Sequence, residues 1–318
     1  MKKSLLILTM KPSILVGGQA VIEGVMMRVP GSYATAVRDP NGKIHIQKED
    51  FISITETSSF WRKPILRGVA SLYESMKMGM KTLNYSADIA MPDEEPQSKI
   101  TEFFSTIFAI SLAVFLFMIA PMWVTTKVMD IEKEAFWFNL VSGGFRISFF
   151  ILYLLIISRL SDVRRLFQYH GAEHRVVYNF ESGKNVNIKN AQSFPTQHPR
   201  CGTSFLFIVL LSAILVFAIV DTVVINIFGT ISLPMRLLFH LPLIPLVSGI
   251  GYELIKLSSR NDSLGFRILK KPGLWLQNIT TKNPEDEMVE VSIKALEKAF
   301  GDRYDKMIGK KYTAEAIG

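Results

Sequence analysis

The sequence predicts a mainly α-helical, polytopic membrane protein: about four transmembrane helices, a small N-terminal α+β cytoplasmic region and a C-terminal helical tail. Three observations predict this. Of 318 residues, 49% are hydrophobic and only 20% are charged, and the mean hydropathy is +0.26, apolar for a soluble chain of this size. Four stretches, Phe103 to Met129, Phe136 to Leu160, Thr203 to Phe228 and Leu233 to Leu257, reach the ~20 mainly apolar residues that a bilayer crossing needs. Basic residues gather in the connections on one side of those stretches.

Residues 1–98 form the N-terminal region. Its apolar run Leu5 to Met10 stops at Lys11 and Pro12, shorter than the ~7–15-residue core of a secretory signal, so the N-terminus reads as uncleaved and cytoplasmic. The run from Gly17 to Arg28 alternates like a strand, which puts Gln19 and Glu23 on one face, with glycines that permit close backbone approach. It could close over a membrane site; a tight turn with two exposed polar side chains is the plainer alternative. Ser32 to Ile54 reads as a hairpin about Asp39-Pro-Asn-Gly42. After Pro64, Ile65, Leu66, Val69, Leu72, Tyr73, Met76, Met80 and Leu83 recur at helical spacing. That helix either lies on the inner leaflet or packs against the hairpin, and Met91 to Pro96 links it to the first span.

Residues 99–160 make the first transmembrane hairpin and 203–257 the second, joined by a connection over 161–202 and followed by a tail over 258–318. The connection holds Arg164, Arg165, Arg175, Lys184, Lys189 and Arg200, with Arg159 just before it; the tail opens with Arg260, Arg267, Lys270 and Lys271. The two short turns lack such an excess. The positive-inside rule therefore places the connection and both termini in the cytoplasm, in a cytoplasmic membrane. The formal net charge of +8 follows from this topology and from anionic lipid contact rather than from a nucleic-acid partner. Within the bilayer, Arg146, Asp221, Arg236 and His240 fall in the outer half, and pairing of Arg146 with Asp221 would make two costly charges tolerable. Prolines 242 and 245 with glycines 249 and 251 interrupt the fourth span, as in many transporters. In the tail, Asn283 as N-cap and Pro284 at the first helical position start a helix that runs to about Phe300 and docks on another part of the chain.

The chemistry-bearing residues lie at the cytoplasmic boundary. In His170-Gly-Ala-Glu173-His174, a continuing helix sets the two histidines one turn apart with Glu173 on the same arc. This is metal-ligand spacing, and the string fits H-x-x-E-H, in which two histidines hold zinc and the glutamate activates water. His198-Pro-Arg-Cys201 stands just before the third span and brings a third histidine and the only thiol to the same membrane face. Each has a bland alternative: His198 as a helix cap, and Cys201 as a small buried apolar residue. Glu253, near the cytoplasmic end of the fourth span, either joins the site or pairs with an arginine such as Arg164 or Arg165.

Four motifs carry a resemblance: Gly-Gly-Gln-Ala-Val-Ile-Glu-Gly-Val-Met-Met-Arg at 17–28, Tyr-His-Gly-Ala-Glu-His at 169–174, His-Pro-Arg-Cys-Gly-Thr-Ser at 198–204 and Pro-Gly-Leu-Trp-Leu-Gln at 272–277. In these the chain resembles the bacterial YqhQ family over nearly its whole length. The resemblance implies a membrane protein of unknown function, of a group often described as metal-dependent enzymes, with functional positions at Gln19, Glu23, His170, Glu173, His174, His198, Cys201 and Glu253. Val29-Pro30 departs from the glycine expected after the arginine and leaves those positions untouched. The leading expectation is a metal-dependent, hydrolase-like enzyme at the cytoplasmic membrane face. His170, His174, His198 and Cys201 would hold a divalent ion such as zinc, Glu173 or Glu253 would move protons, and the substrate would be lipid-linked or a membrane protein. The alternatives are a non-catalytic membrane protein tied together by the same cluster, and a transporter subunit, for which four helices would require a homo-oligomer.

Overall fold

Sustained hydropathy and two proline interruptions shape the membrane part. The computed structural model describes residues 13–93, 98–129, 131–261 and 263–314; the run Leu5 to Met10 and the end of the expected linker, 94–96, lie outside the described residues. Among the described residues, four helices are long and apolar enough to cross a membrane: Ile100–Val128, Ala135–Ile157, Gly202–Phe228 and Leu233–Ser258. The first begins as α3 (Lys99–Val114), passes through a π-helical turn at Phe115–Ile119 and resumes as α4 (Ala120–Val128). Pro121 accounts for the widened turn: it has no N–H to donate, and its ring crowds the carbonyl four residues back. The second span is α5 (Ala135–Ile157), and the third is α8 (Gly202–Phe228).

The fourth span is broken, and only the prolines break it. α9 (Leu233–His240) gives way to a 3-10 turn at Leu241–Leu243, and α10 (Ile244–Arg260) follows. Gly249 and Gly251, which the sequence grouped with those prolines, lie inside α10 and serve close packing. A Cβ on Gly249 would sit 2.6 Å from the carbonyl oxygen of Ile65, and one on Gly251 2.8 Å from a Val209 methyl.

The expected Arg146–Asp221 pair is not formed. Asp221 instead accepts from Asn139 Nδ2 at 2.6 Å, Arg236 Nη1 at 2.5 Å and His240 Nε2 at 2.8 Å. The short turn between α8 and α9 explains the exchange, because it returns Arg236 and His240 to the depth of Asp221. Arg146 is buried with its guanidinium 5.6 Å from the ring centre of Phe217.

The polar part is built on a four-stranded antiparallel sheet of order β2-β3-β4-β5. β4 (Ser32–Arg38) and β5 (Ile44–Asp50) form the hairpin expected from Asp39-Pro-Asn-Gly42. The Asp39 carboxylate accepts the N–H groups of Asn41 and Lys43, both at 2.9 Å, and Gly42 has φ +83°. The run from Gly17 to Arg28 is not one strand but two, β2 (Gly17–Val21) and β3 (Gly24–Val29), folded at Ile22-Glu23. Glu23 adopts φ +50° in that turn and so leaves the face it was expected to share with Gln19. Two-residue hairpin loops need positive φ, usually from glycine or asparagine, so a glutamate there gives no sequence signal.

Alternation along β3 sorts its side chains. Val25 and Met27 enter the main core with Ala34 and Ala36 of β4; Met26 meets Tyr33 and Met78 on the opposite face. The main core is closed by α6 (Ser161–Ser182) through Tyr169, Val176 and Phe180, and by α12 (Asp286–Phe300) through Met288, Leu296 and Phe300. α12 starts two residues later than expected, with Glu285 rather than Asn283 as its cap residue. The other face receives α2 (Leu66–Ala90), which buries small residues such as Gly68, Gly79, Thr82 and Ser86. α2 thus packs against the sheet, while its stripe of Tyr73, Met76, Met80 and Leu83 stays exposed. α11 (Leu264–Thr280), which holds an internal Pro272, lies along the start of α8. Parallel pairing of β1 (Ser13–Ile14) with β6 (Thr313–Ala314) joins the two ends of the described chain.

Candidate metal centre

α6 runs unbroken through His170 and His174, so the helical spacing read from the sequence holds. His174 and Glu173 are 2% and 5% exposed, and His170 is half-buried. Cys201, also buried, is the cap residue of α8 and stands across from them. Gly171 between the histidines is required for contact: a Cβ there would sit 2.1 Å from the carbonyl oxygen of Lys282.

The hydrogen bonds fix which ring nitrogens face the centre. His170 Nδ1 lies 2.8 Å from the carbonyl oxygen of Thr280, and His174 Nδ1 is bonded to the carbonyl oxygen of Thr196. A carbonyl can only accept, so both Nδ1 atoms donate, and in the neutral rings both Nε2 atoms carry a lone pair. Burial lowers the pKa of His174 and keeps it neutral. His170 Nε2 is 3.2 Å from Cys201 Sγ, and ligand atoms of His170, His174 and Cys201 all lie within 4.8 Å of one another. Tetrahedral zinc, with bonds of ~2.0 Å to nitrogen and ~2.3 Å to sulfur, holds neighbouring ligand atoms ~3.5 Å apart. The three side chains therefore fit such an ion with small movements, and histidines oriented through Nδ1 by carbonyls are a common outer-shell arrangement at metal sites.

His198 stands beside this set rather than within it. Its Nδ1 accepts the Arg200 N–H at 3.4 Å, and its Nε2 lies 3.8 Å from Glu181. Burial drives its pKa down to about 4, so the ring is neutral. Gln277 grips the His198 backbone, accepting its N–H at 2.6 Å and donating to its carbonyl at 2.9 Å. Glu173 has one oxygen 3.4 Å from His174 Nε2 and also accepts the N–H of Gly18. Burial raises its pKa, and the neighbouring His170, His198 and Arg200 partly offset that rise.

The remaining expected site residues are placed differently. Gln19 lines the cavity in front of the cluster, with its side chain against Gly79. Glu23 is bound by Arg165 through both oxygens and lies 3.3 Å from the Tyr169 hydroxyl. Glu253 is not brought to the cluster: Arg67 grips both of its oxygens, and the Ile65 N–H donates to it at 3.2 Å. Its arginine partner is thus on α2, not the expected Arg164 or Arg165. Three supports had no role in the sequence reading: the carbonyls of Thr196 and Thr280, which leave no mark in side-chain identity, and Gln277. The last stands in the Pro-Gly-Leu-Trp-Leu-Gln motif, which marked the place without its task.

A cavity of about 510 Å³ opens in front of the cluster, bordered by β2, α2, α6 and the start of α8. That volume is in the range of small-molecule and substrate sites.

A family described as "Protein of unknown function (DUF1385)" matches residues 63–302. The chain is 31% identical over 294 residues to the "Uncharacterized protein YqhQ" of Bacillus subtilis (strain 168), covering 88% of this chain and 90% of that protein. No solved structure matches.

Proposed function

The chain belongs to the DUF1385 family, together with the YqhQ protein of Bacillus subtilis, and from that premise we propose that it is a metal-dependent hydrolase working at the cytoplasmic face of a membrane. One observation carries the reading: two histidines, each pinned through Nδ1 by a backbone carbonyl, turn Nε2 toward the same buried thiol. Three protein ligands with a fourth position open is the pattern of catalytic zinc; structural zinc is usually closed by four.

A zinc ion held by His170, His174 and Cys201 would supply Lewis acidity and lower the pKa of water. The chain's own groups supply the rest. Glu173, next to the cluster and held by the Gly18 N–H, accepts a proton from the attacking water and returns it to the leaving group. His198 and Gln277 wall the site and fix the chain between α6 and α8. The arginine pairs at Glu23 and Glu253 tie the sheet to α6 and α2 to the fourth span, so both act as positioning groups. The basic bias of the connection and tail supports the cytoplasmic orientation, and a site beside the spans favours a substrate in or on the membrane.

The test is metal content. Purified in detergent without chelator, the unmutated protein should hold one equivalent of zinc or a similar divalent ion, and His170→Ala or Cys201→Ser should reduce it at least fivefold. Absence of metal from the unmutated protein would remove the hydrolase reading. Loss of folding together with the metal would favour a structural role for the same cluster.

A further inference from the structure

The cavity has an unusual wall. On one side stand His170, Glu173, His174 and Cys201, and on the other an unbroken run of backbone, Leu15 to Ala20. That run includes β2, an edge strand paired only with β3. The two-residue loop at Ile22-Glu23 makes Val21 and Gly24 a hydrogen-bonded pair, and antiparallel ladders alternate. Gln19 with Met26 and Gly17 with Arg28 are therefore bonded across the ladder, while Gly18 and Ala20 turn their N–H and C=O groups outward.

Gly18 stands against Glu173, whose Cγ and Oε1 would lie 2.8 and 3.1 Å from a Cβ placed there. The Gly18 carbonyl and both backbone groups of Ala20 have no partner among the described residues. Gly18 is exposed, and Gly17, Gln19 and Ala20 are half-buried. A Cβ on Gly17 would meet nothing within 4 Å. Edge strands are usually blunted by charge, proline or cover. This one carries two glycines and an alanine, which clear the way for another backbone.

We propose that the substrate is an extended stretch of polypeptide, added to β2 as a further strand so that its backbone crosses the metal centre. The inference rests on the hydrolase reading above and names its substrate class. Main-chain pairing to the Gly18 carbonyl and to both outward groups of Ala20 supplies affinity and register. The peptide group that comes opposite Gly18 lies next to Glu173, whose other neighbour is His174 Nε2 at 3.4 Å. Hydrolysis then consumes one water. Its oxygen bonds to the peptide carbonyl carbon, the carbon–nitrogen bond breaks, one water proton passes through Glu173 to the departing nitrogen, and a carboxyl group and an amine result. A phosphate-bearing lipid headgroup fits the cavity less well, because its two arginines are engaged. Arg200 is paired with Glu181, and Arg28 lies over the Phe51 ring at 4.5 Å.

The test uses the full-length, zinc-loaded protein in detergent with a combinatorial library of unstructured decapeptides, new termini being read by mass spectrometry. The same library with N-methylated backbones and vesicles of phosphatidylglycerol serve as competing probes. Ala20→Pro removes an outward N–H and leaves the hydrogen bonds of the β2–β3 ladder in place. The unmutated protein should cleave the ordinary library at least tenfold faster than the methylated one. Ala20→Pro should lose at least tenfold of that activity at unchanged zinc content and melting temperature. Zinc present with no peptide cleaved, or hydrolysis of the phospholipid alone, overturns this inference and leaves the metal hydrolase standing. Equal cleavage of methylated and ordinary peptides overturns it as well. Zinc absent from the unmutated protein overturns both readings, and the metal assay shows which has failed.

Discussion

Among the described residues, two buried clusters set histidines beside acidic or sulfur partners, and they treat those histidines in opposite ways. Inside the spans, His240 spends Nε2 on Asp221, stacks on Phe217 at 4.0 Å between ring centres, and shares its carboxylate with Arg236 and Asn139. Asp221 has three donors on its two oxygens and no face left for a ligand. At the membrane boundary, His170 and His174 spend Nδ1 on backbone carbonyls and turn Nε2 toward each other and toward a thiol. The first arrangement has its carboxylate fully engaged and locks helices together; the second leaves lone pairs converging on one point. Which ring nitrogen is occupied, rather than which residue types are nearby, separates a strut from a ligand set.

The sharpest way to break this contrast is to remove one member of the first cluster. Asp221→Ala leaves Arg236 and His240, 1% and 0% exposed, without their carboxylate, and should destabilise the protein by about 3–5 kcal/mol, the range for breaking a buried pair. Thermal unfolding in detergent checks this, and zinc per folded molecule should not change. Next, Gly171→Ala presses a Cβ onto the Lys282 carbonyl oxygen and should cost about 1–3 kcal/mol. In contrast to Asp221→Ala, it should also lower bound zinc, because the strain falls between the two ligands. Smaller still, Gln277→Leu removes the partners of both His198 backbone groups, and should cost about 1–2 kcal/mol with a weaker zinc affinity by titration against a chelator.

The smallest effect is that of pH on the metal-free protein. The His198 pKa is about 4 when folded, below its unfolded value of ~6.5, so the unfolded chain binds a proton first as pH falls. The stabilisation is complete above ~6.5 and is lost toward 4; moving from about pH 7 to about pH 6 should cost less than ~1 kcal/mol. His198→Phe should flatten that part of the melting-temperature profile.

Much of the fold was legible because the relevant signals are local. Leu, Ile, Val and Phe in runs of span length gave four membrane helices, Asn41-Gly42 gave a hairpin, and the spacing of His170 and His174 gave one helix face. Other features depend on how distant elements meet. The short turn between α8 and α9 decided that Asp221 would meet Arg236 rather than Arg146, and no periodicity encodes which of two cations a buried acid meets. Glu23 and Glu253 carry the same formal charge as Glu173, yet they meet Arg165 and Arg67 while Glu173 faces histidines. The placement of Glu253 depends on α2 docking against α10 through Gly68 and Gly249, a contact between residues that are silent in hydropathy. The carbonyls of Thr196 and Thr280, which orient His174 and His170, are backbone groups that every residue offers.

Zinc K-edge X-ray absorption on the purified, unmutated protein tests the ligand set most directly. The account predicts two nitrogen neighbours at ~2.0 Å and one sulfur at ~2.3 Å, with the sulfur lost in Cys201→Ser. A bound zinc surrounded by oxygen and nitrogen alone, with a spectrum indifferent to Cys201→Ser, would contradict it.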